Sequence, residues 1–115
     1  MFKKILLLGA LSCSMNVLAG DIAFGKVVGT KVYDFSDNKS VKVYFEKGST
    51  LGTPGCKESE RPFGIITYSK KTEASVNHML SVILAAQMSG KKMRIFSKVD
   101  NSCEVDFVAL QETYF

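Results

Sequence analysis

The sequence predicts a small α+β domain, mostly β, that is built around a single helix. One stretch carries the apolar period of an α-helix, and the remaining segments read as short β-strands separated by turns. A chain of 115 residues is long enough for one hydrophobic core and short for two. The predicted order is three strands, the helix and two further strands.

The helix is predicted from Thr72 to Gly90. Ser69 or Thr72 can cap its start, Glu73 suits the first turn, and Gly90 followed by two lysines is a typical end. The apolar residues that recur at helical spacing are Val76, Met79, Leu80, Ile83 and Ala86.

The two segments that begin the domain predict a β-hairpin. Residues 21–35 are rich in β-branched and aromatic side chains and contain Gly25 and Gly29, which predicts one long bent strand or two short ones. Residues 36–39 are a turn cluster, and residues 40–47 alternate between two faces. The face expected to be buried carries Val41, Val43 and Phe45, and the opposite face carries Lys42, Tyr44 and Glu46.

The segments after this hairpin, apart from the helix, predict a long loop and three further strands. Residues 48–62 are rich in Gly and Pro and predict a long loop, and residues 63–68 predict a short apolar strand. Residues 92–99 predict a strand with Met93 and Ile95 facing inward. Residues 104–113 predict the last strand, with Val105, Phe107 and Ala109 on one face and Glu104, Asp106, Val108 and Leu110 on the other.

This order of elements is that of the OB-fold, a five-stranded Greek-key barrel with a helix between strands three and four. A long first strand that bends at glycine also suits this fold, because that strand serves both halves of the barrel. The alternative is an open antiparallel sheet with the helix packed on one face. Strand order cannot be read from the sequence, so both architectures stay open.

Residues 1–19 predict a signal peptide, with two lysines, a short apolar run and a small-residue cleavage site near Ala19. The expected location is therefore periplasmic or secreted, and residues 20–115 would form a single domain. The apolar run is too short to span a membrane. Lipidation of Cys13 is the alternative to simple cleavage.

Charge and cysteine content fit an exported domain. Removal of residues 1–19 takes away two lysines and no acids, so the formal net charge falls from +4 to +2. This small excess argues against a nucleic-acid partner. Cys56 and Cys103 then remain, 47 positions apart, and predict a disulfide that contributes roughly 4 kcal/mol in the chain-entropy model.

The sequence argues against an enzyme, a metal site and a cofactor. His78 is the only histidine and falls near the polar stripe of the helix. Glu58 and Glu60 lie in a charged, solvated loop rather than in a pattern typical of paired catalytic carboxylates. None of the short motifs for zinc, phosphate or dinucleotide binding occurs.

A binding face is a stronger interpretation than an enzyme. Basic and aromatic residues interleave on the outer sides of two predicted strands, an arrangement that an oligosaccharide or an anionic polymer can use through stacking and charge. The structural alternative is an ordinary outer sheet face with solvated lysines. The candidate residues are Lys42, Tyr44, Arg94, Phe96 and Lys98.

Two resemblances accompany these patterns. The helix and following strand, from Ala74 to Ile95 and on to Cys103, resemble small uncharacterised exported bacterial proteins. Export, size, a single disulfide and strand order are similar to the B subunits of AB5 toxins, which are OB-folds that form rings and bind cell-surface glycans. The sequence departs from such proteins in having no tryptophan, a common platform for sugar stacking.

The helix also predicts self-association. Residues 82–86 are apolar on every side, and a helix that is apolar all round is normally buried all round. Either the loop at residues 48–62 covers the outer side, or a second copy does so and the helix from Thr72 to Gly90 forms a dimer or ring. A further alternative is a periplasmic inhibitor or interaction protein that uses this helix face.

Overall fold

The computed structural model describes residues 20–113, so the predicted signal peptide at residues 1–19 with its Cys13, and residues 114–115, lie outside the described residues. Seven strands and one helix make up this part. They are β1 (Asp21–Phe35), β2 (Asn38–Phe45), β3 (Thr50–Leu51), β4 (Lys57–Glu58), β5 (Arg61–Thr67), α1 (Glu73–Ser89), β6 (Lys92–Phe96) and β7 (Phe107–Leu110), with a 3₁₀ turn at Tyr68–Lys70.

The strands form a sheet in the order β4-β5-β2-β1-β6-β7, with every neighbouring pair antiparallel, and β3 pairs with β1. Helix α1 packs on this sheet, in contact with β1, β6 and β7. The α+β class and the packing of one helix on an antiparallel sheet are therefore confirmed.

Strand β1 is long because it serves two sets of partners. Its first part, from Asp21 to Lys26, pairs with β6, and its second part, from Val27 to Phe35, pairs with β2. The register shifts between Val27 and Gly29, where the strand passes from one set of partners to the other. A single long strand with an irregularity near glycine is one of the two forms that the sequence predicted.

The segment before β7 contacts the other end of the strand order. The N–H of Ile65 in β5 donates to the carbonyl of Cys103 (2.8 Å), and the N–H of Val105 donates to the carbonyl of Ile65 (2.9 Å). These two bonds form a parallel bridge between Ile65 and Glu104. Strand β5 therefore has backbone contacts with β2, β4 and residues 103–105.

The core lies between the sheet and α1. Period-two alternation in β2 and period-3.6 spacing in α1 turn their apolar residues to this side, as predicted. Full burial of each large apolar side chain contributes about 1.5–3 kcal/mol. The largest buried side chains include Phe45, Ile22, Ile66, Ile83, Met93 and Ile95.

The ends of α1 follow the predicted capping. The hydroxyl of Thr72 accepts a hydrogen bond from the N–H of Ser75 (3.1 Å), so Thr72 is the N-cap, while Ser69 lies in the preceding 3₁₀ turn. Gly90 adopts the left-handed conformation with φ of 71° and ends the helix.

The predicted bounds of the later strands need correction. Strand β7 contains only Phe107–Leu110 of the expected residues 104–113, and β6 ends at Phe96 rather than at residue 99. Val105 is fully buried whereas Phe107 is 45% exposed, so they do not share an inward face. The reason is a change of partner, because residues 103–105 bond to β5 while residues 107–110 pair with β6.

A disulfide attaches the Gly- and Pro-rich segment at residues 48–62 to the segment before β7. Cys56 bonds to Cys103, as predicted, and is completely buried. Two short strands, β3 and β4, interrupt this segment.

No helix within residues 20–113 is long and apolar enough to cross a membrane.

A buried charge cluster joins the start of α1 to the segment before β7. The Lys71 ammonium lies 2.6 Å from the Glu104 carboxylate and 3.3 Å from that of Asp106. Glu104 also accepts hydrogen bonds from the N–H and the hydroxyl of Thr67 (2.9 and 2.7 Å). Burial alone would raise the pKa of Asp106, but the N–H of Lys98 and the charge of Lys71 outweigh it and lower that pKa.

Replacement of Lys71 should destabilise the fold strongly. Lys71→Met leaves two carboxylates close together without their cation, so we expect the free energy of unfolding to fall by about 3 kcal/mol. Lys70→Met, at the adjacent exposed lysine, should change it by less than about 0.5 kcal/mol. Urea denaturation at neutral pH measures both, and equal stabilities would contradict a structural role for the cluster.

Candidate functional site

A cleft of about 490 Å³ lies on the side of the sheet that faces away from the core. Residues from β1, β2 and the β4–β5 hairpin line it, so it combines distant parts of the sequence on one surface. The lining residues are Val28, Gly29, Lys31, Tyr33, Tyr44, Glu58, Ser59 and Arg61.

Strand alternation and register explain why these side chains meet. Val41, Val43 and Phe45 point into the core, so Lys42 and Tyr44 between them point outward. In the β1–β2 register Lys31 lies opposite Lys42 and Gly29 opposite Tyr44, and in the β2–β5 register Tyr44 lies opposite Phe63. Gly29 has no side chain, which leaves the space beside the Tyr44 ring open.

Rings and ammonium groups interleave across this surface. Tyr44 and Phe63 stack with ring centroids 6.0 Å apart. The Lys31 ammonium lies 5.0 Å from the centroid of Tyr44, and that of Lys42 lies 5.3 Å from Phe63 and 5.8 Å from Tyr33. These distances are within the range of cation–π attraction. We call the set Lys31, Tyr33, Lys42, Tyr44 and Phe63 the basic–aromatic face.

Glu58 is the one carboxylate among the residues that line the cleft. The hydroxyl of Tyr44 donates to it at 2.6 Å, and the Lys42 ammonium lies 3.6 Å away. The hydrogen bond from Tyr44, and then the charges of Lys42 and Lys31, lower the pKa of Glu58. Burial, and then the bond to Glu58, raise the pKa of Tyr44 far above its usual value, so its hydroxyl stays protonated.

Glu58 reaches the cleft from a short hairpin with a two-residue turn. Strand β4 has two residues, both exposed, and pairs with β5 only through Lys57–Pro62 and Glu58–Arg61. The connecting residues Ser59 and Glu60 have φ values of 53° and 67°, which non-glycine residues rarely adopt. Cys56, next to β4, fixes the base of the hairpin through its disulfide.

The five residues proposed from the sequence do not form one cluster. Lys42 and Tyr44 belong to the basic–aromatic face. Arg94 and Phe96 lie on β6, on the other side of β1, where the Arg94 guanidinium binds the buried Asp21 carboxylate (2.8 Å) and lies 5.7 Å from the Phe96 ring. Lys98 is exposed beyond the end of β6.

Sequence reasoning missed Lys31, Tyr33 and Phe63 on the basic–aromatic face, and Glu58 and Arg61 beside it. The period-two alternation of Gly29, Lys31 and Tyr33 was a usable signal, because it repeats the Lys-x-Tyr pattern of β2. No local signal placed Glu58 there, since its position depends on the β4–β5 pairing and the disulfide.

The catalytic and metal expectations concern residues elsewhere. His78 lies on the exposed side of α1. Among residues 20–113, no group of three or more His, Cys, Asp or Glu side chains is placed to hold a metal ion. The absence of an enzymatic activity stays a prediction.

Comparisons of the chain with protein-family models, with curated proteins and with solved structures gave no match. The resemblance to AB5 toxin B subunits therefore stays a prediction. The chemistry of the cleft is the basis on which a function can be inferred.

Loss of the Tyr44 hydroxyl should raise the pKa of Glu58. Tyr44→Phe keeps the ring but removes the bond that holds the carboxylate in its ionised form, so we expect Glu58 to titrate closer to its ordinary range. Carbon-detected NMR titration of the Glu58 carboxyl measures this change. Tyr68→Phe, in the 3₁₀ turn, is the matched control, and an identical Glu58 titration in both variants would contradict the prediction.

Proposed function

We propose that the protein is an exported binding module that takes an acidic saccharide in the cleft beside the basic–aromatic face. The observation that carries this proposal is the set of cations Lys31, Lys42 and Arg61 around one open cleft, with Glu58 as the opposing charge. The surplus of positive charge favours an anionic ligand.

The ring content favours a saccharide over a simple anion. Tyr33 lines the cleft, Tyr44 is 8% exposed there beneath the Lys31 ammonium with Phe63 stacked against it, and the hydroxyls of Tyr33 and Ser59 provide polar groups at the same cleft. A sugar offers apolar C–H faces and hydroxyls, and an acidic sugar adds a carboxylate or sulfate for the lysines. In the free protein the Lys31 ammonium covers the Tyr44 ring, and this long, exposed side chain can move aside at small cost.

We also propose that the sheet closes into an OB-like barrel, which would supply the surface on which OB-folds bind their ligands. The parallel bridge between Ile65 and Glu104 supports closure, because it joins β5 to the segment that leads into β7. The contact at Gly64 supports it as well, since a Cβ atom there would lie 2.5 Å from the Ile95 side chain and 2.6 Å from that of Val105. Strands β5 and β6 therefore approach each other across the core.

A glycan array tests the proposal directly. The folded, oxidised protein should bind glycans on the array that carry uronic acid, sialic acid or sulfate, and it should not bind the matching neutral glycans. Lys31→Ser should weaken binding at least about tenfold, because it removes a charge that contacts the ligand's acid group. Lys91→Ser, at an exposed lysine after α1, is the control and should leave affinity unchanged.

Two outcomes would overturn the saccharide proposal. One is a folded wild-type protein that binds no acidic saccharide above background. The other is binding that Lys31→Ser and Lys91→Ser affect equally, since the cations of the cleft would then have no special role.

A second proposal concerns self-association through α1. Leu84 is 42% exposed and Met88 is 87% exposed, so the segment at residues 48–62 does not cover this side of the helix. We propose a homo-oligomer in which this part of α1 is the contact between copies. The alternative is an inhibitor or interaction protein that binds another protein there.

Mass in solution tests this second proposal. Light scattering on a sizing column should give a multiple of the protomer mass, and Met88→Glu should reduce it to the protomer because a charge cannot be buried unpaired. His78→Glu, at an exposed position on a different side of α1 from Leu84, should leave the oligomer intact. A wild-type monomer at high concentration would overturn the proposal.

A further inference from the structure

We propose that Glu58 is an internal occupant of the binding site: in the free protein its carboxylate takes the place that the acidic group of a ligand takes in the complex. This inference rests on the proposed function and adds a residue that controls affinity for acidic ligands. It follows from the contacts of Glu58 and from the hairpin that carries it.

Glu58 uses the groups that would recognise an acid. Tyr44 donates its hydroxyl to one oxygen at 2.6 Å, and the Lys42 ammonium lies 3.6 Å from the other. Lys31 acts on the same carboxylate through its charge. An incoming carboxylate or sulfate needs these same donors, and it cannot share them with Glu58 because two like charges at one site repel.

The hairpin that carries Glu58 is held by few interactions and can move. The side chain of Glu58 is 46% exposed, so its bonds compete with water. Ser59 and Glu60 hold positive φ values because the pairing of β4 with β5 requires a two-residue turn, and residues other than glycine adopt such values at a cost. Both residues could leave this conformation if the two-residue strand β4 moved away from β5.

The base of the hairpin confines any such movement. Cys56 is bonded to Cys103, and the N–H of Phe63 donates to the carbonyl of Cys56 at 3.0 Å. Residues 57–60 can therefore shift while the chain on both sides stays in place. Arg61, on the same hairpin, would remain near the cleft as a further cation for the ligand.

Glu58→Gln tests the inference because glutamine keeps the size and the hydrogen-bond acceptor for Tyr44 but removes the charge. The variant should bind acidic saccharides about fivefold or more tightly than the wild type, as expected for the removal of one competing charge. Affinity for neutral sugars should not change. Glu60→Gln is the matched control, since Glu60 lies on the same hairpin and pairs with Lys57 instead (3.8 Å).

Inorganic sulfate provides a second probe that does not depend on the saccharide proposal. Titration followed by NMR signals of Lys31 and Lys42 should show tighter sulfate binding by Glu58→Gln than by the wild type. A gain for sulfate without any saccharide binding would support the inference and reject the proposed function. Saccharide binding by the wild type, with equal or weaker acidic-ligand affinity in Glu58→Gln, would overturn the inference alone.

Discussion

The structure depends on the backbone pairing of one strand, β1. Its first part carries β6 and β3, and its second part carries β2, so every other strand is attached to it directly or through one of these partners. The register shift between Val27 and Gly29 lets a single strand serve both sets. It also turns Gly29, Lys31 and Tyr33 toward the cleft, which means that the architecture and the candidate site have a common origin.

Much of the secondary structure could be predicted, because local patterns determine it. The period of α1, its Thr72 cap and its Gly90 end are all readable within a few residues. The alternation in β2 likewise fixed which side faces the core. Residues 104–113 were harder to predict, because this segment changes partner from β5 to β6 within its length. A single alternation of buried and exposed residues therefore does not describe the whole segment.

The candidate site could be predicted only in part, because some of its residues are brought together by strand pairing rather than by a local pattern. Lys42 and Tyr44 lie two positions apart on one strand, so their common face follows from the sequence alone. Lys31 reaches them through cross-strand register, and Glu58 reaches them through a two-residue strand fixed by a disulfide. Arg94 has the positive charge that a site for an anionic ligand needs, but its guanidinium donates to the buried carboxylate of Asp21. No sequence pattern links those two residues.

Two adjacent residues of β1 face opposite sides of the molecule. Gly29 lines the cleft, whereas the hydroxyl of Thr30 donates to the Gln87 side chain of α1 at 2.8 Å. The cleft and the exposed end of α1 therefore lie back to back across one thickness of sheet. An assembly built through α1 would leave every cleft open and facing outward. Such an assembly would be multivalent, so that weak binding at each cleft would add up to strong attachment to a surface that repeats the ligand.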